Sequence, residues 1–346
     1  MGVPMNWQIL NKRKPLFFWK KYEFKIKISL FLPGILLSLP TFAFLVGSSP
    51  VSVQKLPLKL VPEITIAQES GDINLMFGAI SYIDIDSAGN IFIVDYKNRQ
   101  IKIFDREGRF LRKIDIPAGQ GPRELNQISG LAVTPSGTLF LNGDRKMIIY
   151  DSQGNHLRTF KVDFHVSCIR SAGAEEVIGI GPHNGNILHV FDSEGRLISS
   201  FGEILDVPKD FEPMRMMPMF GAPLIFSASK DGRIFILNPH RYEILIFRNQ
   251  KLEQRMEASS ELYEPLTQKG RGFLSTAAEI LPAGKYLLIY FESYRNEDNL
   301  ADVFIKGKKV GSIKLPGQLK AVDYQGKLYI VSQDEFPKVT RYSISE

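Results

Sequence analysis

Cysteine is nearly absent: Cys168 stands alone in 346 residues. That excludes an internal disulfide, so the fold has to stand on its hydrophobic core. Histidine is scarce as well. The five (His156, His165, His183, His189, His240) include no pair at the spacing of a helical or turn-based metal site. His165 and Cys168, three apart, are a weak signal for a nucleophile pair. A glycine-rich phosphate loop, a serine nucleophile elbow and a paired-histidine metalloprotease motif are all missing, so no motif names a cofactor and no spacing names a metal. Net positive charge is missing from most of the chain. Residues 1–48 hold seven basic residues (Lys12, Arg13, Lys14, Lys20, Lys21, Lys25, Lys27) against one acid, Glu23, which accounts for the whole net charge of +6. The remainder is neutral, and no one-signed groove for a nucleic-acid backbone is expected.

Charge is also absent from Ile28–Val46, nineteen residues long. That is about the length that spans a bilayer. The lysines before it predict that whatever follows is exported. Two outcomes compete. A cleaved signal peptide would use the apolar run to Leu39, with Pro40 as the break and Thr41-Phe42-Ala43 at the cleavage site. An uncleaved signal anchor would use the whole transmembrane span, and the long basic lead-in favours it. No cysteine follows closely enough to carry a lipid. The chain therefore divides into a basic region 1–27, one hydrophobic helix at 28–46, a linker 47–55 and a single domain at 56–346.

What the sequence does contain is repetition. "IFDREGRFLRKI" at 103–114 returns as "IYDSQGNHLRTF" at 149–160 and "VFDSEGRLISSF" at 190–201. Each copy runs apolar, aromatic, Asp, two polar residues, Gly, then a polar–apolar alternation. Period-two alternation marks a strand with one buried face. The Asp-x-x-Gly centre marks a tight hairpin turn, with Asp accepting the turn's own amides and Gly taking positive φ. A second hairpin precedes each copy, with turn glycines at Gly89, Gly137, Gly232, Gly284 and Gly326. The unit is four strands in about 40–50 residues, the length of a propeller blade. Six units follow: about 79–114, 127–162, 167–202, 221–256, 273–313 and 319–346. The last has three strands of its own. Leu56–Ala67 is predicted to supply its outer strand and so close an all-β six-bladed β-propeller without free edges. Leu111 falls in an alternating strand, where proline is predicted to unfold the domain by removing a ladder donor.

"GNIFIVDYKNRQIKIFDREGRF" (Gly89–Phe110) resembles an NHL-type repeat, and "GQGPRELNQISGLAV" (Gly119–Val133) resembles the connection between blades in that family. Repeats one and two match well. Repeat four keeps "DGRIFILNP" but has Arg248-Asn249-Gln250-Lys251 in place of Asp-x-x-Gly, and repeats three and five diverge further. The chain as a whole resembles exported bacterial six-bladed propellers related to NHL proteins. The resemblance implies the fold and no single function, since propellers host lyases, lactonases and binding modules.

The hairpin turns cluster on one rim, and the longer connections (95–100, 115–127, 142–146, 202–222, 257–272, 291–300, 332–337) on the other. Long loops on a rigid scaffold are where binding concentrates. The candidate ligand-binding residues on that rim are Asn126, Asn142, Arg145, Met214, Arg215, Met217, Asn238, His240, Arg241, Glu292, Tyr294 and Arg295. Val207–Pro223 stands out because Met214, Met216, Met217 and Met219 are four of the chain's nine methionines. Clustered thioethers suit Cu(I), but no nearby His or Cys completes such a set, and methionine more often makes packing or adaptable contact surfaces. The leading expectation is a non-catalytic, extracytoplasmic scaffold that binds a protein, peptide or glycan on this rim. Two alternatives are a metal-dependent lyase or lactonase with its site at the channel mouth, and a structural module of an envelope assembly.

Overall fold

In the computed structural model, residues 56–345 are described apart from 173–174, 230, 270–271, 293–298 and 334. The expectations for the basic region, the span at 28–46 and the linker fall outside these residues. Among the described residues, no helix is long and apolar enough to cross a membrane.

The strands form six four-stranded antiparallel sheets, the blades, plus a two-stranded hairpin at Thr267–Lys269 and Gly272–Leu274. The inner strands are Ile80–Ile85, Gly130–Val133, Cys168–Ser171, Phe226–Ala228, Ala277–Ala283 and Gln318–Val322. Each neighbours the next and the sixth neighbours the first, so they make a closed ring. Blade six takes its outer strand from the start of the domain: Lys59–Ile66 pairs with Lys338–Ser345, Leu60 opposite Ile344 and Ile66 opposite Val339.

Burial explains the strand sequences. The second and third strands of a blade have neighbouring blades on both faces, so they read as continuous apolar runs. Ile91–Asp95 and Lys146–Tyr150 are buried at every position. Outer strands show mixed exposure, as in Phe110–Asp115. The core divides into six apolar clusters, one at each blade-to-blade interface. Ile66 (2% exposed) belongs to the cluster between blades six and one, packed with Phe104, Tyr329 and Val339. Ring closure is therefore a matter of packing as well as of backbone pairing.

The repeated phrase builds one device several times. Asp105 Oδ1 accepts the amides of Glu107 (3.0 Å) and Arg109 (2.8 Å). Asp151 accepts those of Gln153 (2.9 Å) and Asn155 (2.8 Å), and Asp192 those of Glu194 (2.9 Å) and Arg196 (2.8 Å). Gly108, Gly154 and Gly195 close the turns with φ of 81°, 85° and 80°. Blade four replaces this turn by Asn249 and Gln250 with φ of 49° and 63°, the two successive positive values of a type I′ hairpin.

After each turn in blades one to five, the outer strand carries a β-bulge opposite the last two or three residues of the third strand. Bulges raise the local twist, which suits a blade whose outer strand must swing away from the axis. The skipped residues of the first three copies, Leu111, Leu157 and Ile198, are 43%, 57% and 49% exposed. This corrects the expectation for Leu111→Pro. Bulges and edge strands are where a sheet tolerates proline, and Leu111 is on both.

Candidate functional site

On the long-loop rim, most charged and polar side chains hold the rim's own backbone. Asp95 is fully buried. Its carboxylate accepts the amides of Gly78 (3.1 Å) and Ala79 (3.2 Å) and the side-chain amide of Asn98 (2.8 Å). Lys102 (1% exposed) lies 3.9 Å from that carboxylate and donates to the carbonyls of Ile73 (2.9 Å) and Met76. Burial pushes its ammonium pKa down, although Asp95 pulls the other way. Arg99 and Arg145 occupy the left-handed region with φ of 53° and 58°. Both guanidiniums bond carbonyls of the following crossing, Arg99 to Ile116 (3.0 Å) and Leu125, Arg145 to Asp163.

The predicted site residues separate against this background. Asn142 and Asn238 are buried (2% and 1% exposed). Asn142 donates to the Val166 carbonyl (3.0 Å), while Asn238 bonds Glu243 (3.1 Å) and accepts from the His240 amide (3.0 Å). Both are engaged within the protein, at the ends of buried strands where loop groups need partners. Asn126 is exposed, with its backbone amide held by Asp144. Arg145 is the buttress just described. Arg241 pairs with Glu243 at 2.9 Å, and Glu292 accepts from Gln318 at 2.8 Å. Tyr294 and Arg295 lie outside the described residues.

Met214, Arg215 and Met217 lie on the crossing from blade three to blade four, and His240, between two strands of blade four, packs on that crossing through Phe211 and Phe220. A 3-10 turn at Lys209–Met214 starts the segment. Arg215 then folds back, donating to the carbonyls of Leu205 (3.1 Å) and Ile204 (3.2 Å) and pairing with Asp206 (3.2 Å). Phe211 packs on Phe220 (5.5 Å between centroids) and on His240 (5.6 Å). His240 bonds the Phe220 carbonyl through Nε2 at 3.1 Å. A carbonyl only accepts, so Nε2 carries the proton. Burial lowers the His240 pKa, though this bond opposes it. These contacts leave Met216 (60% exposed), Met217 (51%) and Leu224 (42%) facing outward on a pinned loop. Met214 and Met219 are half-buried beneath them.

A second feature lies on the axis. A cavity of about 60 Å³ is lined by all six inner strands, among them Ser81, Tyr82, Asp84, Arg170, Ser171, Glu279 and Lys320. Its lining reaches Ser229, Pro282 and Asp323, at or next to the tight turns, so it occupies the tight-turn half of the channel. Arg170 crosses it to Glu279 at 3.2 Å, the two side chains being 18% and 20% exposed. Arg170 also donates to Cys168 Sγ (2.8 Å) and sits 5.7 Å over the Phe226 ring. Burial pushes the Cys168 thiol pKa up despite Arg170, the opposite of what a nucleophilic thiolate needs. Burial likewise raises the Tyr82 pKa. Sequence reasoning missed these residues because each is a single polar side chain in a short apolar strand, such as Arg170 in "CIRS". The available signal was the repeat alignment itself, which puts Tyr82, Arg170, Glu279 and Lys320 on inner strands. Among the described residues, no group of three or more His, Cys, Asp or Glu side chains is arranged to hold a metal.

A family model described as a 6-bladed beta-propeller matches residues 70–178. No curated protein matches the chain. Among solved structures, it is similar to a putative exported protein from Bacteroides fragilis, with 10% identity and a TM-score of 0.55, covering 84% of this chain and 96% of that one. A member of the duf4221 family from Bacteroides vulgatus is similar at 12% identity and a TM-score of 0.54, covering 84% and 99%. A chain of a mitotic checkpoint complex is similar at 10% identity and a TM-score of 0.50, covering 92% and 100%. The fold is thus shared by proteins in unrelated settings and does not name a function.

Proposed function

We propose that this chain is an extracytoplasmic, non-catalytic propeller that binds a protein or peptide segment at the crossing between blades three and four. The observation carrying this is the exposure of Met216, Met217 and Leu224 on a loop whose conformation is fixed by Arg215, Phe211 and His240. Thioethers adapt to varied apolar partners, and a loop fixed beforehand loses little entropy on binding. A glycan is a poorer occupant, since its hydroxyls need polar side chains that on this rim are engaged with backbone. The rim's charges are of mixed sign, which gives no basis for nucleic acid.

Export belongs to the same proposal. It rests on the basic lead-in and the nineteen uncharged residues Ile28–Val46, read as anchor or signal peptide. The likeness of Gly89–Phe110 to NHL repeats is a kinship in sequence pattern alone.

Peptides selected from a displayed library against the purified chain test the binding surface. Replacing both Met216 and Met217 by Asp should weaken them at least about tenfold, the equivalent of one lost buried apolar contact. Leu157→Asp, at an outer bulge, should leave affinity unchanged. Peptides that bind the double variant undiminished would sink the reading. A periplasmic reporter fused after residue 346 tests export, and its inactivity would remove that part.

A further inference from the structure

We propose that the axial cavity is a binding site for a small zwitterion, a molecule with a carboxylate and an ammonium group a few bonds apart, of the size of a free α-amino acid. It is separate from the rim surface above and lies in the opposite half of the channel.

The lining is built and incompletely satisfied. Ser171 is 7% exposed, and its Oγ has no hydrogen-bond partner; Ser81 Oγ is likewise buried and unpartnered. Both line the cavity. A buried hydroxyl without a partner costs about 1–3 kcal/mol in general, so such groups normally face a ligand or ordered water. Arg170 spends Nη1 on Cys168 Sγ and the Ile169 carbonyl (3.1 Å) and Nη2 on Glu279. Its Nε–H has no acceptor among the described residues, and neither has Glu279 Oε1 a donor. A guanidinium edge and a carboxylate oxygen are therefore left side by side, one offering hydrogens and the other accepting them.

The other charges are divided in the same way. Lys320 lines the cavity and makes no ion pair or side-chain hydrogen bond among the described residues. Asp84 accepts the amides of Val133 (2.7 Å) and Ile85 (2.9 Å), and Asp323 those of Gln325 (2.8 Å) and Lys327 (2.9 Å). Asp86 and Glu175 also lie near enough to act on Tyr324 beside them. A simple anion meets this negative field at the turn end. A simple cation meets Arg170 and Lys320. A molecule with both ends answers both, with its carboxylate toward Arg170 and Lys320 and its ammonium toward Glu279.

Two further facts fit. Ser81 and Lys320 are skipped residues at β-bulges within inner strands, and bulges re-aim side chains beside sites. The volume has room for about four or five water-sized groups, about the heavy-atom count of glycine.

The test uses the purified full chain with glycine, acetate and methylammonium as probes, followed by titration calorimetry and saturation-transfer NMR. Glycine should bind at least about tenfold tighter than either half-molecule, because only it uses both sets of charge-assisted hydrogen bonds. Ser171→Ala should weaken glycine about fivefold, one hydrogen bond's share, while leaving the unfolding midpoint unchanged or slightly raised. Lys320→Met should weaken it about tenfold, and the exposed Lys308→Met should change nothing. Arg170 and Glu279 are left intact, because removing one strands the other's buried charge. Glycine binding that is undetectable, matched by acetate or methylammonium, or indifferent to Ser171→Ala and Lys320→Met would overturn the proposal.

Discussion

Asp151→Ala isolates the turn device on which the blades' outer hairpins depend. Asp151 accepts two backbone amides through Oδ1 and the Asn155 side chain through Oδ2 at 2.9 Å, with no ion pair to complicate the reading. Hydrogen bonds to charged groups contribute about 1.5–3 kcal/mol each when well sheltered. This turn is at the surface and water replaces part of the loss, so the set should be worth about 2 kcal/mol in total. The expected fall in melting temperature is roughly 3–4 °C, from about 2.1 cal/mol/K of unfolding entropy per residue over residues 56–345. Urea unfolding should show a lower midpoint with an unchanged slope. The Asn155 side chain and the turn amides hold the Asp151 carboxyl below its ordinary pKa against the cost of partial burial. The stabilisation is therefore complete above the unfolded-state pKa, about 3.9, and is lost as pH falls through the lower folded value. The wild-type advantage over Asp151→Ala should shrink below about pH 4. A variant within about 0.5 kcal/mol of wild type at pH 7, or an advantage that grows on acidification, would refute the reasoning.

Three other outcomes are expected. Ile103→Pro, in a third strand paired on both sides and 1% exposed, should prevent folding, whereas Leu111→Pro should leave a folded domain by circular dichroism; equal damage would contradict the bulge assignment. Ile66→Ala should cost about 2–5 kcal/mol in chemical denaturation, and a smaller loss would mean that the first strand is not needed to close the ring. His189 is fully buried, with its ring bonded to the Gly181 carbonyl (2.8 Å) and Ser200 (2.9 Å), and burial lowers its pKa. The unfolded chain thus binds its proton first, so stability should fall as pH drops below about 6.5. His189→Gln should flatten that dependence, and an unchanged slope would exclude His189 as its source.

The architecture was legible because repetition reports it. One blade cannot bury its own faces, so every copy repeats the same burial pattern and the same Asp-x-x-Gly turn. The outer-strand bulge was not legible: pairing offsets come from how strands meet, and Leu111 looks like any apolar residue of an alternating strand. Site reading was limited by a different cause. Polar residues at strand ends, such as Asn142 and Asn238, look the same in sequence whether they face a ligand or satisfy a buried carbonyl. Only the burial of their surroundings separates the two. Arg170 and Glu279, 109 residues apart, meet only because the ring brings blades three and five together across the axis.

Hydrogen exchange of the full chain with and without a library-selected peptide tests the functional account most directly. The account predicts that bound peptide slows exchange in residues 207–224, the crossing that carries Met216 and Met217, and leaves the tight turns around Gly108, Gly154 and Gly195 unaffected. Protection confined to those turns, with 207–224 unchanged, would contradict it.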